Sequence, residues 1–176
     1  MKKKILSLLI TIIALFTCLV SFTACNDALG DGSFLPSIPS LKLSDTKRCE
    51  NTTIKTSLAT FLITPSGFDL EELNSKNYKM KITVTYDVYY EKDWNAPWDL
   101  GYLGAPKFEV CILDDDLVGN MDADITAPSS SSSRTITYTT NVVNLIGSKI
   151  YLTFSSDNIQ NKIHFKNITI NYNCYK

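Results

Sequence analysis

YKMKITVTYDVYY, residues 78–90, is the stretch of this chain that decides its fold. Apolar side chains at Met80, Ile82, Val84, Tyr86, Val88 and Tyr90 alternate with Lys79, Lys81, Thr83, Thr85, Asp87 and Tyr89. Because successive side chains of a strand point to opposite faces, this alternation predicts a long strand with one buried and one solvated face. A slip of one residue would place charge in the core, so the register is well specified.

Shorter runs of the same kind lie on both sides of this strand. They predict strands at Lys47–Lys55, Leu58–Thr64, Phe108–Leu113, Arg134–Thr140, Lys149–Ser155 and Lys162–Tyr175. The alternation of the last run skips one position at Lys166–Asn167, which indicates a β-bulge. About seven or eight strands and few helices predict an all-β fold, an antiparallel β-sandwich.

The remaining segments of the domain have weaker patterns. One short helix is predicted at Phe68–Leu73, where acidic residues suit the first turn. Residues 141–146 are expected to form a helical turn with Asn141 as its cap. Residues 114–128 are acidic and are predicted to be irregular, with at most a brief strand, and the serine run at 129–133 is predicted to be a loop tip.

The N-terminus has the pattern of an export signal. Three lysines at positions 2–4 precede an apolar run from Ile5 to Val20, which is shorter than the roughly 20 residues that span a bilayer. Phe22-Thr23-Ala24-Cys25 then resembles a bacterial lipobox, in which small residues precede the cysteine that becomes a lipid-bearing N-terminus. A plain signal peptide followed by a chance cysteine is the alternative.

This pattern predicts three parts: a lipoprotein signal peptide at 1–24, which is a signal helix that is cleaved off, a flexible tether at 25–44 and a β-sandwich domain at 45–176. The resemblance to bacterial lipoproteins implies that Cys25 carries a diacylglyceryl group and an amide-linked acyl chain such as palmitate. Since stable attachment takes more than one chain, the protein is expected at the cell membrane, lipid-anchored on the extracytoplasmic face.

Charge limits the class of partner. Without residues 1–24 the chain has 14 Lys and Arg against 18 Asp and Glu, a net charge of −4. Nucleic-acid binding needs a basic face, so nucleic acid is not an expected partner. The charge is uneven, because residues 91–124 hold nine acidic residues and two lysines, which leaves the rest at +3.

Three cysteines fall in the predicted domain: Cys49, Cys111 and Cys174. An exported protein can form disulfides, and the first and last strands of a sandwich are often neighbours. A Cys49–Cys174 disulfide is therefore predicted, with three reduced thiols as the alternative.

The sequence contains no recognisable catalytic motif, and the chain is not expected to be an enzyme. Its single histidine, His164, lies between two apolar residues and so is predicted to face solvent. No zinc spacing, nucleophile elbow or phosphate loop is present. The chain has many carboxylates, but the sequence does not place two across a cleft as glycoside hydrolysis needs.

Two segments contain candidate ligand-binding residues. Calcium prefers six to eight oxygen ligands, and an acidic segment offers Asp114, Asp115, Asp116, Asn120, Asp122 and Asp124, although not at EF-hand spacing. An acidic, solvated loop is the alternative. A sugar-binding site combines aromatic faces with polar groups, and the loop after residue 92 offers Asp93, Trp94, Asn95, Trp98, Asp99 and Tyr102. Tryptophans that cap the core are the alternative.

The last third of the chain, from Lys149-Ile-Tyr-Leu-Thr-Phe to Ile163-His-Phe-Lys-Asn-Ile-Thr-Ile-Asn-Tyr, resembles the closing strands of bacterial jelly-roll domains. Carbohydrate-binding modules and galactose-binding-like domains share this ending. The resemblance covers about thirty residues and implies a fold rather than an activity. The sequence thus predicts a surface lipoprotein with a carbohydrate-binding sandwich, or alternatively a structural or protein-interaction lipoprotein of the cell envelope without glycan binding.

Overall fold

The computed structural model describes residues 40–92, 104–116, 119–158 and 161–176. Residues Leu41–Lys176 form one compact unit, so the sandwich begins within the last residues of the segment that the sequence assigns to the tether. Leu41 packs against the core, and the Leu43 carbonyl accepts a hydrogen bond from the Cys174 N–H at 2.7 Å. No helix within the described residues is long and apolar enough to cross a membrane.

The predicted all-β fold is confirmed. The described residues form nine strands and two short helical segments. The strands are β1 (Ser44–Arg48), β2 (Thr52–Ile54), β3 (Ser57–Leu62), β4 (Lys79–Lys92), β5 (Lys107–Leu113), β6 (Gly119–Thr126), β7 (Ser132–Asn141), β8 (Tyr151–Ser156) and β9 (Asn161–Tyr175). The helical segments are α1 (Leu70–Ser75) and a 3₁₀ helix (Val142–Leu145).

Two antiparallel sheets make up the described part of the sandwich. Sheet A has the strand order β1-β9-β4-β7, and β2 also pairs with β9. Sheet B has the order β3-β8-β5-β6. The strand predicted from residues 78–90 is β4, which lies between β9 and β7 and buries Met80, Ile82, Val84, Tyr86 and Val88 as the alternation requires.

Aromatic rings from both sheets meet in the core. Phe154 of β8 and Phe165 of β9 stack with their ring centroids 4.2 Å apart. Tyr86 meets Phe154 edge-on at 5.2 Å, and Phe108 meets Phe165 in the same way at 5.2 Å. All four side chains are almost fully buried. Such offset and edge-to-face pairs add to the free energy gained by burying apolar area, so this cluster joins the two sheets.

Polar contacts join the sheets at their edges. On one side the buried Tyr172 hydroxyl of sheet A donates to the Ile63 carbonyl, which follows β3 of sheet B. Close by, Lys47 Nζ donates to the Leu62 carbonyl at 2.7 Å. On the other side, the Asn120 side-chain amide of β6 donates to the Thr137 carbonyl of β7.

The β-bulge predicted in the last strand is confirmed. Thr85 pairs with Thr169 and Asp87 pairs with Lys166, so β9 has one residue more than β4 in this interval. Asn167 adopts a left-handed conformation with φ of 52°. Asparagine tolerates this conformation better than most residues, and here its side-chain amide also donates to Asp87 Oδ2 at 2.7 Å.

Three local predictions differ from the structure. The helix begins at Leu70 rather than Phe68, because Asp69 is its N-cap and accepts a hydrogen bond from the Glu72 N–H at 2.8 Å. Asn141 is the N-cap of the 3₁₀ helix but makes no side-chain cap hydrogen bond. Residues 119–126, predicted to be mostly irregular, form β6, which is an edge strand that buries only Ile125. An edge strand with so little buried area lacks the alternation that identified β4.

The predicted Cys49–Cys174 disulfide is wrong. Terminal strands β1 and β9 are neighbours as expected, but the Cys49 N–H donates to the Ile168 carbonyl, six residues along β9 from Cys174. At about 3.3 Å per residue the two lie about 20 Å apart, and a disulfide needs Cα atoms within about 7 Å. Cys49, Cys111 and Cys174 are free, and burial raises the pKa of each thiol.

Candidate functional site

The outward surface of sheet A is almost entirely polar, and we call it the polar face. It consists of the side chains that alternate with the buried ones along the five strands of this sheet. Its members are Ser44, Thr46, Arg48, Thr53, Lys79, Lys81, Thr83, Thr85, Asp87, Tyr89, Glu91, Ser133, Thr135, Thr137, Thr139, Asn141, Lys162, His164, Lys166, Asn167, Thr169, Asn171, Asn173 and Tyr175. No aliphatic side chain belongs to it within the described residues.

Cross-strand rows give the polar face a regular arrangement. Thr46, Asn171, Thr83 and Thr137 lie side by side on four strands, and the next row contains Thr169, Thr85 and Thr135. Thr46 Oγ1 donates to Asn171 Oδ1 at 2.8 Å. Because neighbouring strands lie about 4.8 Å apart, the rows present closely spaced hydroxyl and amide groups to solvent.

An aromatic pair lies towards one end of this face. Tyr89 of β4 and His164 of β9 are directly paired, and their rings stack with centroids 4.7 Å apart. Lys166 Nζ lies 4.9 Å from the centroid of the Tyr89 ring, within the range of a cation–π contact. The tyrosine is only partly buried, so part of it is accessible to solvent.

Hydrogen bonds hold His164 in place. Its Nδ1 lies 2.9 Å from Thr53 Oγ1 of β2, and its Nε2 lies 3.1 Å from Glu91 Oε2 of β4. The histidine side chain is only 16% exposed, whereas that of Glu91 is 65% exposed. The ring therefore has a fixed orientation, and the largely exposed Glu91 carboxylate has the capacity to accept further hydrogen bonds.

The outward face of sheet B differs in character. Leu62, Tyr151 and Leu113 form one cross-strand row on it. Leu58, Leu62 and Met121 are 63%, 50% and 59% exposed. The two outer faces of the sandwich thus present different chemistry, one polar and one with exposed apolar side chains.

The sequence-predicted sugar-binding residues, Asp93, Trp94, Asn95, Trp98, Asp99 and Tyr102, lie outside the described residues, as does Cys25. In the sequence this segment follows β4 directly after Lys92. Tyr89 and Glu91 are among the last residues of β4 that pair with β9. The structure therefore leaves the two predictions as they stand.

The six calcium candidates are described, and most of their polar groups have separate partners. Asp114 Oδ1 accepts from the Asp116 N–H at 3.1 Å, and Asp115 Oδ2 accepts from the Lys149 N–H at 2.9 Å. Asn120 bonds across to β7, and Asp124 Oδ1 pairs with Lys107 Nζ at 3.3 Å. Asp122 lies near enough to Tyr86 to raise the pKa of that buried phenol, after the larger effect of burial. Among the described residues, no group of three or more His, Cys, Asp or Glu side chains could hold a metal ion.

His164 faces outward as predicted, but the sequence did not indicate its partners. The alternation along β4 already places Tyr89 on the solvated face. The alternation does not give the register between β4 and β9, and this register is what pairs Tyr89 with His164. The two strands are about seventy residues apart in the chain.

No protein-family model matches this chain, and a search of curated proteins found none similar to it. The function is therefore argued from the polar face and the sequence alone.

Proposed function

We propose that this chain is a membrane-anchored, surface-exposed lipoprotein whose β-sandwich binds carbohydrate through the polar face. The observation that carries the proposal is the Tyr89–His164 pair, held rigidly beside rows of threonine and asparagine. The proposal is for binding without catalysis and follows the sequence, in which no catalytic motif is recognisable.

Sugar chemistry fits this surface. A sugar ring presents hydroxyl groups at its edge and C–H groups on its faces. The threonine hydroxyls and asparagine amides of the polar face can both donate and accept hydrogen bonds, as hydroxyl recognition requires. The partly exposed Tyr89 supplies an aromatic edge, and its stacking on His164 fixes its position before a ligand arrives, which lowers the entropic cost of binding.

A tyrosine substitution tests this proposal. We expect Tyr89→Ala to weaken glycan binding at least about fivefold, since an aromatic anchor at a binding surface contributes more than about 1 kcal/mol. The measurement is the Kd of the full-length protein, purified in detergent micelles, for glycans that bind it on a glycan array.

Tyr151→Ala is the matched control, because Tyr151 also points outward, but from sheet B. Thermal melting followed by circular dichroism should show that both variants are folded. Equal affinities of the two variants would contradict binding at the polar face. Trp94→Ala and Trp98→Ala would separately test the loop that the sequence predicts.

Anchoring rests on the sequence, where Cys25 follows Thr23 and Ala24. We expect Cys25→Ser to abolish incorporation of radiolabelled fatty acid and to release the protein from the membrane fraction, because the thiol is the only attachment point for the diacylglyceryl group. Cys18→Ser is the control, since Phe16 and Thr17 precede that cysteine and do not suit a lipobox. Continued labelling of Cys25→Ser would contradict the assignment.

A second candidate function, docking of an envelope protein, is favoured by the exposed Leu58, Leu62 and Met121 of sheet B. A protein partner captured by the wild type and lost on Leu62→Asp, with glycan binding absent, would favour this candidate.

A further inference from the structure

The charges on the polar face are unbalanced. Its cationic side chains are Arg48, Lys79, Lys81, Lys162 and Lys166, and its acidic side chains are only Asp87 and Glu91. The predicted domain as a whole is acidic, so this excess of positive charge is a property of the face and not of the composition.

Both acidic groups already have partners. Asp87 Oδ2 accepts from the Asn167 side-chain amide at 2.7 Å, and Glu91 Oε2 lies 3.1 Å from His164 Nε2. None of the five cationic side chains forms an ion pair with another described residue. Lys162 and Lys166 do lie directly across the strands from Glu91 and Asp87. Among the described residues, five cationic side chains against two acidic ones still leave the polar face with an excess of positive charge.

The β5–β6 edge of sheet B has the opposite balance. Its acidic side chains are Glu109, Asp114, Asp115, Asp116, Asp122 and Asp124, against Lys107 alone within residues 107–116 and 119–126. Three of them follow β5 in a turn, and Asp122 is paired with the buried Val110, so the negative charge belongs to this edge of the sandwich. Such a separation of charge produces a field that steers anions to the polar face and away from the acidic edge.

Cations and hydroxyl-recognising groups are interleaved on the polar face. Arg48 of β1 pairs with Thr169, and Lys81 of β4 pairs with Asn173 and Thr139. Lys166 of β9 pairs with Asp87 and is followed by Asn167, whose side chain belongs to the same face. A neutral sugar would use the hydroxyls and amides but leave the cations unused. A polymer that alternates hydroxyl groups with anionic groups would use both.

We infer that the ligand of the polar face is an anionic polysaccharide, whose carboxylate or sulfate groups are bound by Arg48, Lys81 and Lys166 while its hydroxyls bond to the threonine and asparagine rows. This rests on the proposed carbohydrate binding and adds the class of glycan. Guanidinium and ammonium groups bind carboxylate and sulfate through charge-assisted hydrogen bonds, which are stronger than neutral ones.

The test compares two polymers of similar length, polygalacturonate and neutral dextran, for binding to the full-length protein in detergent micelles. Polygalacturonate should bind and dextran should bind much more weakly. Heparin in place of polygalacturonate tests sulfate against carboxylate. Raising the salt from about 0.01 M to about 1 M shortens the Debye length from about 30 Å to about 3 Å, so binding should weaken steeply.

Charge reversal locates the site. The double variant Lys81→Glu with Lys166→Glu should bind polygalacturonate about tenfold more weakly, whereas Lys81→Arg with Lys166→Arg should retain binding. Lys149→Glu is the matched control, since Lys149 is exposed and precedes β8 of sheet B. An equal loss in Lys149→Glu would show an effect of net charge alone and would overturn the inference.

The other outcomes separate the inference from the proposed function. Equal, salt-insensitive binding of dextran and polygalacturonate would overturn the inference and leave carbohydrate binding intact. Failure to bind either polymer or any arrayed glycan would overturn both. Binding of phosphatidylglycerol vesicles as tight as that of polygalacturonate, with the same dependence on Lys81 and Lys166, would identify a lipid surface and overturn the inference.

Discussion

Replacing Phe165 by alanine should lower the free energy of unfolding by about 3–5 kcal/mol, which is the usual cost of removing a large aromatic side chain from a core. Phe165 is fully buried and stacks on Phe154 of the opposite sheet at 4.2 Å, with Phe108 edge-on at 5.2 Å. The substitution would open a cavity between the two sheets. A typical domain is stable by about 5–15 kcal/mol, so this loss is a large fraction of the total.

Urea denaturation followed by circular dichroism measures this effect. Leu58→Ala is the matched control, because Leu58 is also apolar but 63% exposed on the outside of sheet B. That variant should change stability by less than about 0.5 kcal/mol, as surface substitutions usually do. If the two variants were equally stable, the stacking between the sheets could not be the main junction of the core.

Replacing Tyr172 by phenylalanine should destabilise the fold by about 1–3 kcal/mol, although the change removes a single oxygen. The buried hydroxyl donates to the Ile63 carbonyl, and Ile63 is itself fully buried. Without the hydroxyl, the carbonyl loses this hydrogen bond in a place that water does not reach. Tyr175→Phe is the control, since Tyr175 is 42% exposed and belongs to the same strand.

The pH dependence provides a second readout of this hydrogen bond. Burial raises the pKa of Tyr172 above the ordinary tyrosine value of 10.0, so the folded state favours the protonated phenol. A pKa raised on folding contributes stability that is complete below the unfolded pKa and is lost as the pH rises above it. The advantage of the wild type over Tyr172→Phe should therefore be constant up to about pH 10 and decline at higher pH. An advantage that did not decline above pH 10 would contradict the buried, protonated phenol.

The elements that the sequence predicted well are those that bury one face along their length. In β4, every second side chain from Met80 to Val88 is fully or almost fully buried, and this left a clear alternation. In β6 only Ile125 is buried, so its sequence has no such pattern and indicated no more than a brief strand, where the structure has one of eight residues. Alternation of apolar and polar residues reflects the burial of one face of a strand, and an edge strand such as β6 buries few side chains.

Long-range register explains the other differences. Neighbouring terminal strands were predicted correctly, but the Cys49–Cys174 disulfide was wrong, because adjacency in a sheet does not fix the position along the strand. The same limit applies to Tyr89 and His164. The sequence placed both side chains on the solvated side of their strands. Their stacking, however, depends on a pairing between distant parts of the chain. No pattern of single residues contains that pairing.

The calcium candidates show a different limit. The acidic residues between 114 and 124 suggested a shared site, but in the strand geometry of β6 and the preceding turn their oxygens bond to several different segments. The sequence did not show which group each oxygen would bond to, because partners such as Lys107 and Lys149 lie on other segments of the chain.

The bulge at Asn167 also has a consequence for self-association. Asn51 lies in the gap between β1 and β2, which form the border of sheet A, its edge next to β9. Its side chain accepts a hydrogen bond from the Asn167 N–H at 3.1 Å, so the gap lies opposite the extra residue of the bulge. That border consists of two pieces of five and three residues instead of one long strand. Short, interrupted borders are poor templates for the addition of a strand from another molecule. A single left-handed asparagine thereby helps to keep copies of this protein from joining edge to edge into aggregates.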